Sequence, residues 1–115
     1  MEESYTAMLK RAYELFNEHG VDGVLALMTD DVHWPNGWEG GYVNGKDEVK
    51  YYWTRLWKEL NPLVEPIEFR KLDNGRIEVK VHQLVRALNG EIIFDGFVMH
   101  TYQFQSGLVA GMEIN

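Results

Sequence analysis

Two acidic residues and a histidine lie close together in the stretch DDVHWPNGWEGG, residues 30–41. Aspartate and histidine are side chains that transfer protons in enzymes, so Asp30, Asp31 and His33 are candidates for acid–base catalysis. Pro35 and three glycines make the same stretch typical of a loop. An aspartate pair between a helix and a strand more often caps or forms a turn. We therefore interpret Asp30 and Asp31 as structural and expect His33 to face solvent or a neighbouring loop.

His100 is a second candidate, in the middle of the alternating segment 92–105, which is typical of a β-strand. Its neighbours on one face of that strand are apolar or aromatic: Phe94, Gly96, Val98, Tyr102 and Phe104. A titratable ring among apolar neighbours has a shifted pKa and often belongs to a functional site. We predict that His100 faces inward. The alternative is a buried histidine that hydrogen bonds to Tyr13, Tyr102 or water.

The remaining chemical patterns are absent from the sequence. There is no cysteine, which excludes disulfides and thiolate chemistry. The histidines lack the spacing of a metal site, and no Ser-His-Asp or phosphate-binding glycine pattern occurs. We therefore expect no metal and no cofactor.

The overall charge argues against polyanionic partners. The formal net charge is −7, and lysine and arginine form no run, so neither nucleic acid nor an anionic membrane is an expected partner. No apolar segment approaches the roughly 18 residues of a membrane span. We expect a soluble cytoplasmic protein.

The elements that must position these residues follow from the periodicity of the sequence. Three helices are predicted, over residues 3–19, 22–28 and 46–60, with a short strand at 32–34 and a loop at 35–45. Four longer extended segments follow, namely 63–72, 76–88, 92–105 and 108–114. The breaks between them contain Asn-Gly or Ser-Gly, which predicts consecutive hairpins. The prediction is one α+β domain over residues 1–115, a curved antiparallel meander with helices on its concave face.

Side-chain alternation assigns the two faces of this sheet. On the strand 76–88 one face is nearly all apolar and is expected to point inward: Ile77, Val79, Val81, Gln83, Val85 and Ala87. The opposite face mixes charged residues with Leu84 and Leu88, which predicts a homodimer formed through the sheet. Gly96 is predicted to form a bulge or bend.

Aromatic residues make up 13% of the chain, and such residues either fill a core or line a pocket for an apolar ligand. Six residues are candidates for pocket walls: Phe16, Trp34, Trp38, Trp53, Val98 and Tyr102. The glycines near Trp38 are expected to let it fold back over the mouth of the pocket. Simple core packing is the alternative for all of them.

The order of elements, together with VDGVLALMTDDVHWPNGWEGGYVNGKDEVKYYW (residues 21–53), resembles the nuclear transport factor 2-like superfamily. Within it the chain looks most like the SnoaL-like and ketosteroid-isomerase-like branch. The resemblance covers essentially the whole chain and implies a cone-shaped α+β fold around a hydrophobic pocket. Because the superfamily hosts several unrelated activities, the resemblance does not imply one reaction.

The catalytic positions of ketosteroid isomerases match this sequence poorly. Their general base is an aspartate immediately before a proline, and Trp34 precedes Pro35 here. Their oxyanion tyrosine corresponds to Ala12, with Tyr13 beside it, and their oxyanion aspartate corresponds to His100. Any chemistry is therefore expected at His100, with Tyr13 or Tyr102 as a hydroxyl donor.

Three functional hypotheses follow. The first is an isomerase, cyclase or dehydratase that acts on an apolar carbonyl compound, with His100 as general acid–base. The second is a dimeric, non-catalytic module that binds a small apolar or aromatic ligand. The third is a structural or partner-binding role, which requires the cone to be filled.

Overall fold

The computed structural model describes residues 2–115, with side chains described from residue 5 onward. In this range the helices are α1 (Glu2–Asn17), α2 (Val21–Leu25) and α3 (Lys46–Glu59). The strands are β1 (Met28–Pro35), β2 (Tyr42–Asn44), β3 (Leu60–Lys71), β4 (Ile77–Ala87), β5 (Ile92–Gln105) and β6 (Leu108–Ile114). None of the helices in the described range is long and apolar enough to cross a membrane.

The strands form one curved sheet in the order β2-β1-β6-β5-β4-β3. Strands β3 to β6 pair antiparallel with their neighbours in the chain, which confirms the predicted meander. Two further strands extend this meander, because β1 pairs parallel with β6 and antiparallel with β2. The predicted α+β class is confirmed, while the sheet is mixed and has six strands in the described residues rather than four.

The acidic pair Asp30-Asp31 explains why β1 was predicted too short. Met28 pairs with Val109 and His33 pairs with Gly111, so the pairing with β6 is irregular between these two points. Asp30 and Asp31 lie in this irregular stretch and are exposed. Aspartate favours turn conformations, yet both residues lie within β1. The pairing of β1 with β2 and β6 holds the strand in place around them.

The hairpin turns have the backbone geometry that their sequences favour. Asn74 and Gly75 both have positive φ, at 31° and 81°, as do Ser106 and Gly107 at 55° and 80°. Glycine adopts such angles without a steric penalty, which fixes the position of each turn and therefore the register of its two strands.

The predicted bulge at Gly96 is wrong. Gly96 pairs regularly with Gln83, and the irregularity lies between Val85 and Arg86, which pair with Phe94 and Ile92. Ile93 is therefore the extra residue on β5. A glycine is favoured at position 96 because the Phe94 ring occupies the space of a side chain there. A Cβ on Gly96 would lie 3.1 Å from Cζ of Phe94.

The concave face of the sheet forms the core together with α1 and α3. Val79 and Val81 on β4 are fully buried, as are Leu9 on α1 and Val49 on α3. The inward face predicted for β4 is therefore found. Toward the other end of this concave face, side chains do not fill the space between sheet and helices.

Candidate functional site

A cavity of about 730 Å³ lies between the concave face of the sheet, helices α1 and α3, and the loop after β1. All eight residues that the sequence singled out for a site line it: Tyr13, Phe16, Trp34, Trp38, Trp53, Val98, His100 and Tyr102. Its most exposed large lining residues are Trp38, Tyr42, Phe94 and Ile114, at 37%, 48%, 43% and 42%. These four residues therefore mark its mouth, and His100, at 6% exposed, lies deep inside.

Two regular elements position the polar end of the cavity. Strand alternation on β5 points His100 and Tyr102 inward, where their backbones pair with Val79 and Ile77 of β4. On α1, Tyr13 follows the fully buried Leu9 by four residues and so lies on the same buried face. The helix and the strand thereby bring three polar side chains together.

These side chains form a hydrogen-bonded chain. The Tyr102 hydroxyl donates to the Tyr13 hydroxyl at 2.8 Å, and Tyr13 Oη lies 2.9 Å from His100 Nδ1. The Tyr13 and His100 rings are nearly parallel, 13° apart, whereas Tyr102 stands at 88° to Tyr13. The chain runs from the core outward to a histidine at the wall of the cavity.

Burial keeps this chain uncharged at neutral pH. It lowers the pKa of His100 to about 4, since no carboxylate compensates for the lost hydration. Burial also raises the pKa of Tyr13 and that of Tyr102. The three groups therefore form a neutral network.

The tautomer of His100 depends on the direction of its hydrogen bond to Tyr13. In the tautomer in which Tyr13 donates to Nδ1, the imidazole proton resides on Nε2. Nε2 makes no hydrogen bond to another described residue. His100 can therefore donate from Nε2 to an oxygen atom of a molecule in the cavity.

The lining of the cavity carries no formal charge. Among the described residues, no Asp, Glu, Lys or Arg lines it. Two acids on the strands that line the cavity, Glu113 and Asp95, are engaged elsewhere, since Glu113 accepts a hydrogen bond from Tyr42 and Asp95 lies 2.7 Å from His82. A carboxylate base of the ketosteroid isomerase kind is therefore missing from the described part of this site. Nor do the described residues contain a group of three or more side chains that could hold a metal ion.

Aromatic rings form the walls of the cavity. Trp53 packs edge-on against Phe16 and Trp34, with ring centroids 5.1 Å and 5.6 Å apart. Trp34 also lies against Tyr102. Trp34, in the position before the proline, thus supplies apolar surface beside the hydrogen-bonded chain.

The loop after β1 forms the rim of the mouth, and its anchoring was missed at the sequence level. Asn36 Oδ1 accepts hydrogen bonds from the backbone N–H groups of Trp38 and Glu39. Glu39 binds Arg55 of α3 through both carboxylate oxygens, at 2.7 and 2.8 Å. Arg55 in turn lies over the Trp38 ring. In the sequence, the Asn36-Gly37 dipeptide indicates a turn at this place. It does not indicate that the loop binds Arg55 of α3.

The remaining candidates from the opening stretch lie outside the cavity. Asp30 is exposed and lies 3.6 Å from Lys46. His33 stacks on Tyr42, and its Nδ1 lies 2.7 Å from Asn44 Oδ1. Both are surface contacts between β1 and its neighbours.

Comparison with known proteins agrees with this geometry. The sequence profile of the SnoaL-like domain matches residues 9–112. No curated protein matches the chain significantly. A solved nuclear transport factor 2-like protein of unknown function from Burkholderia pseudomallei is similar, with 25% identity, a TM-score of 0.84, and 97% of this chain and 89% of that chain covered.

Two further solved structures share the fold. One is a putative polyketide cyclase from Xanthomonas campestris, with 19% identity, a TM-score of 0.80, and 97% and 89% of the two chains covered. The other is a Mycobacterium tuberculosis protein in complex with estradiol-17beta-hemisuccinate, with 19% identity, a TM-score of 0.82, and 96% and 92% covered. From the profile match over nearly its whole length, this chain belongs to the SnoaL-like domain family.

Proposed function

We propose that this domain binds a small, uncharged, largely apolar ring compound in its cavity, with a carbonyl or hydroxyl oxygen of the ligand against His100. The observation that carries the proposal is the neutral chain Tyr102–Tyr13–His100, which leaves the imidazole Nε2 without a partner among the described residues. A mostly apolar cavity with a few convergent polar groups is the usual form of a small-molecule site. The ligand of the similar mycobacterial structure, estradiol-17beta-hemisuccinate, shares the largely apolar ring system but carries in addition the carboxylic acid of its hemisuccinate group.

The test compares two probes that differ by one hydroxyl, biphenyl and 4-hydroxybiphenyl, through quenching of tryptophan fluorescence. Trp34, Trp38 and Trp53 line the cavity and report occupancy. We expect 4-hydroxybiphenyl to bind about tenfold more tightly than biphenyl, because one hydrogen bond to a buried donor is gained. Failure of both probes to bind would contradict the proposal.

A matched pair of substitutions separates the hydrogen bond from packing. Asparagine at position 100 places its amide near the Nδ1 site and so keeps a partner for Tyr13, whereas glutamine reaches the Nε2 site. His100→Asn is therefore expected to remove the advantage of the hydroxyl, and His100→Gln to retain part of it. Binding of biphenyl serves as the control and is expected to change little in either variant. Equal preference for the hydroxylated probe in both variants would show that His100 does not contact it.

An enzymatic role is the second candidate, and the free imidazole N–H supports it. A neutral histidine can polarise a carbonyl group, so isomerisation, cyclisation or dehydration of an apolar carbonyl compound is chemically compatible with the site. Without a carboxylate in the cavity, His100 itself must act as the base through an unprotonated Nε2, which requires the tautomer with the proton on Nδ1, and a pKa of about 4 makes it a weak base. Ultraviolet absorbance of cyclic enones and their deconjugated isomers measures this activity. Turnover that His100→Gln leaves unchanged would exclude His100 from the reaction.

We further propose that the domain is a homodimer through the outer face of the sheet. Phe97 lies on this face and is 61% exposed, and Leu88, at 64% exposed, lies in the turn directly after β4. Large exposed apolar side chains on a sheet face commonly mark an interface. Light scattering at micromolar concentration is expected to give the dimer mass, and Phe97→Glu the monomer mass. Tyr51→Glu, on the exposed surface of α3, is the control that leaves the mass unchanged; a monomeric wild type would contradict the proposal.

A further inference from the structure

Gln83 interrupts the apolar inward face of β4. Val79, Val81 and Val85 on the same face are buried, whereas the Gln83 side chain lines the cavity and is half-buried. Its amide makes no hydrogen bond to any other described residue. An amide at an apolar wall is unfavourable unless water or a ligand satisfies it.

The residues next to Gln83 cannot supply that partner. Across the sheet it is flanked by Val64 of β3 and by Gly96 of β5. Phe94 fills the space beside Gly96, since a Cβ on Gly96 would lie 3.1 Å from its ring. The amide therefore has apolar surface on both sides and the cavity in front.

Several other polar side chains of the cavity are already engaged. Asn36 binds the loop backbone, Tyr42 binds Glu113, and Tyr13 binds Tyr102 and His100. The Tyr52 hydroxyl lies near the backbone of Gly37 and Trp38. Besides this hydroxyl and the indole N–H groups, the described lining side chains with free hydrogen-bonding capacity are the Nε2 of His100 and the Gln83 amide.

The strand register sets the separation of the two backbone positions along the sheet. His100 lies opposite Val79 of β4. Gln83 is four residues further along β4 than Val79 and lies opposite Gly96. Four residues of a strand span about 13 Å. The deep end of the cavity therefore carries a donor, and the end near Phe94 at the mouth carries an amide that donates and accepts.

We propose that Gln83 is a second anchoring residue, which selects an elongated, uncharged ring compound with an oxygen function at each end. This inference rests on the proposed ligand-binding function of the cavity. The deep oxygen lies at His100, and the second, a hydroxyl or carbonyl, hydrogen bonds to the Gln83 amide. Because none of the described lining residues is cationic, the second group is neutral rather than a carboxylate.

The experiment uses rigid probes of two lengths, each with one or two terminal hydroxyl groups. These are 4-hydroxybiphenyl, 4,4′-dihydroxybiphenyl, 4-hydroxy-p-terphenyl and 4,4″-dihydroxy-p-terphenyl. At one length or both, the wild type is expected to bind the dihydroxy probe about five- to tenfold more tightly than the monohydroxy probe. Gln83→Leu is expected to abolish this gain, which is measured within the variant as the ratio of its affinities for the two probes.

Gln103→Leu is the matched control, because Gln103 lies between the inward-facing Tyr102 and Phe104 and so points to the opposite face. It is expected to behave as the wild type. The inference is overturned if the second hydroxyl gives no gain at either length, or if Gln83→Leu keeps the gain. Binding of none of the four probes to the wild type overturns the ligand-binding function itself, and this inference with it.

Discussion

The Tyr13 hydroxyl lies 2.9 Å from Nδ1 of His100, although 87 positions separate the two residues in the chain. This contact joins helix α1 to strand β5 at the deep end of the cavity. It also occupies Nδ1 of the imidazole, so the position of a helix determines which ring nitrogen is left for a ligand. Five predictions follow from this and the other contacts of the site, beginning with the network itself.

Tyr13 is the central member of the network, and its loss should cost more than the loss of Tyr102. Tyr13→Phe leaves the Tyr102 hydroxyl and His100 Nδ1 buried without their partner, which should lower the free energy of unfolding by about 2 to 4 kcal/mol. Tyr102→Phe removes one donor and leaves the bond from Tyr13 to His100, so about 1 kcal/mol is expected. Urea denaturation measures both, and equal losses would contradict the central position of Tyr13 in the network.

His100 should make the protein sensitive to mild acid. Its pKa falls from the ordinary 6.5 to about 4 on folding, so the folded protein binds this proton more weakly than the unfolded chain. Stability is therefore lost as the pH falls from about 6.5 to about 4, amounting to about 2 kcal/mol between pH 7 and pH 5.

His100→Gln provides the comparison for this pH effect, because carboxylates that titrate in the same range are common to both proteins. The stability of the variant, measured by urea denaturation, should change less than that of the wild type between pH 7 and pH 5. Parallel pH profiles for the two proteins would mean that His100 can take up its proton without cost in the folded state.

The Glu39–Arg55 pair should control the order of the loop at the mouth. Arg55 and Asn36 hold the pKa of Glu39 down at about 2, so the pair stays charged throughout the physiological range. Glu39→Gln weakens the contact to α3, and hydrogen exchange of the loop amides should become several-fold faster. Glu14→Gln is a control on α1, where the pair with Arg11 is solvent-exposed. Unchanged exchange in Glu39→Gln would show that Asn36 alone orders the loop.

A side chain at position 111 should lower the stability of the protein, because Gly111 lies at the contact between β1 and β6. A Cβ there would lie 3.2 Å from the backbone oxygen of His33 and 3.3 Å from Gln103 Oε1. Gly111→Ala should therefore destabilise the protein by about 1 to 3 kcal/mol. Gly37→Ala is the control, because its Cβ would meet Cδ1 of Ile114 at 3.4 Å, an ordinary contact. The melting temperatures of the two variants test this, and equal values would contradict it.

An exposed leucine at the end of β4 gives a test of the dimer that is independent of Phe97. Leu88 is 64% exposed in the turn directly after β4, and Leu88→Glu would place a charge at the edge of the proposed interface. Sedimentation velocity is expected to show a dissociation constant raised at least tenfold. Leu63→Glu, on the edge strand β3, tests how far the interface extends, and a dimer unaffected by Leu88→Glu would place the interface elsewhere.

The sequence was informative wherever local signals determined the structure. The Asn-Gly and Ser-Gly turns predicted the meander, and strand alternation placed His100 and Tyr102 on the cavity wall. The helical pattern of α1 put Tyr13 on a buried face, and a histidine hydrogen bonded to Tyr13 was one of the two alternatives considered. The use of these residues in binding or catalysis stays a prediction, as do the dimer and the cytoplasmic location.

Contacts between distant segments were not accessible in the same way. The parallel pairing of β1 with β6 depends on residues such as Met28 and Val109, which no turn connects. The three-residue strand β2 is too short for a periodic signal. The bidentate contact between Glu39 and Arg55 depends on where α3 lies relative to the loop, which neither segment encodes alone.

The position of β6 in the sheet has a consequence for synthesis of the chain. Although β6 follows the other strands in sequence, it lies between β1 and β5 and connects them. Until residues 108–114 leave the ribosome, β1 and β2 cannot join the meander, and the cavity lacks the wall that Met112 and Ile114 provide. A nascent chain halted before β6 should therefore expose its tryptophans to chaperones. The cavity can close only when β6 pairs with β1, which is a contact between segments far apart in the sequence.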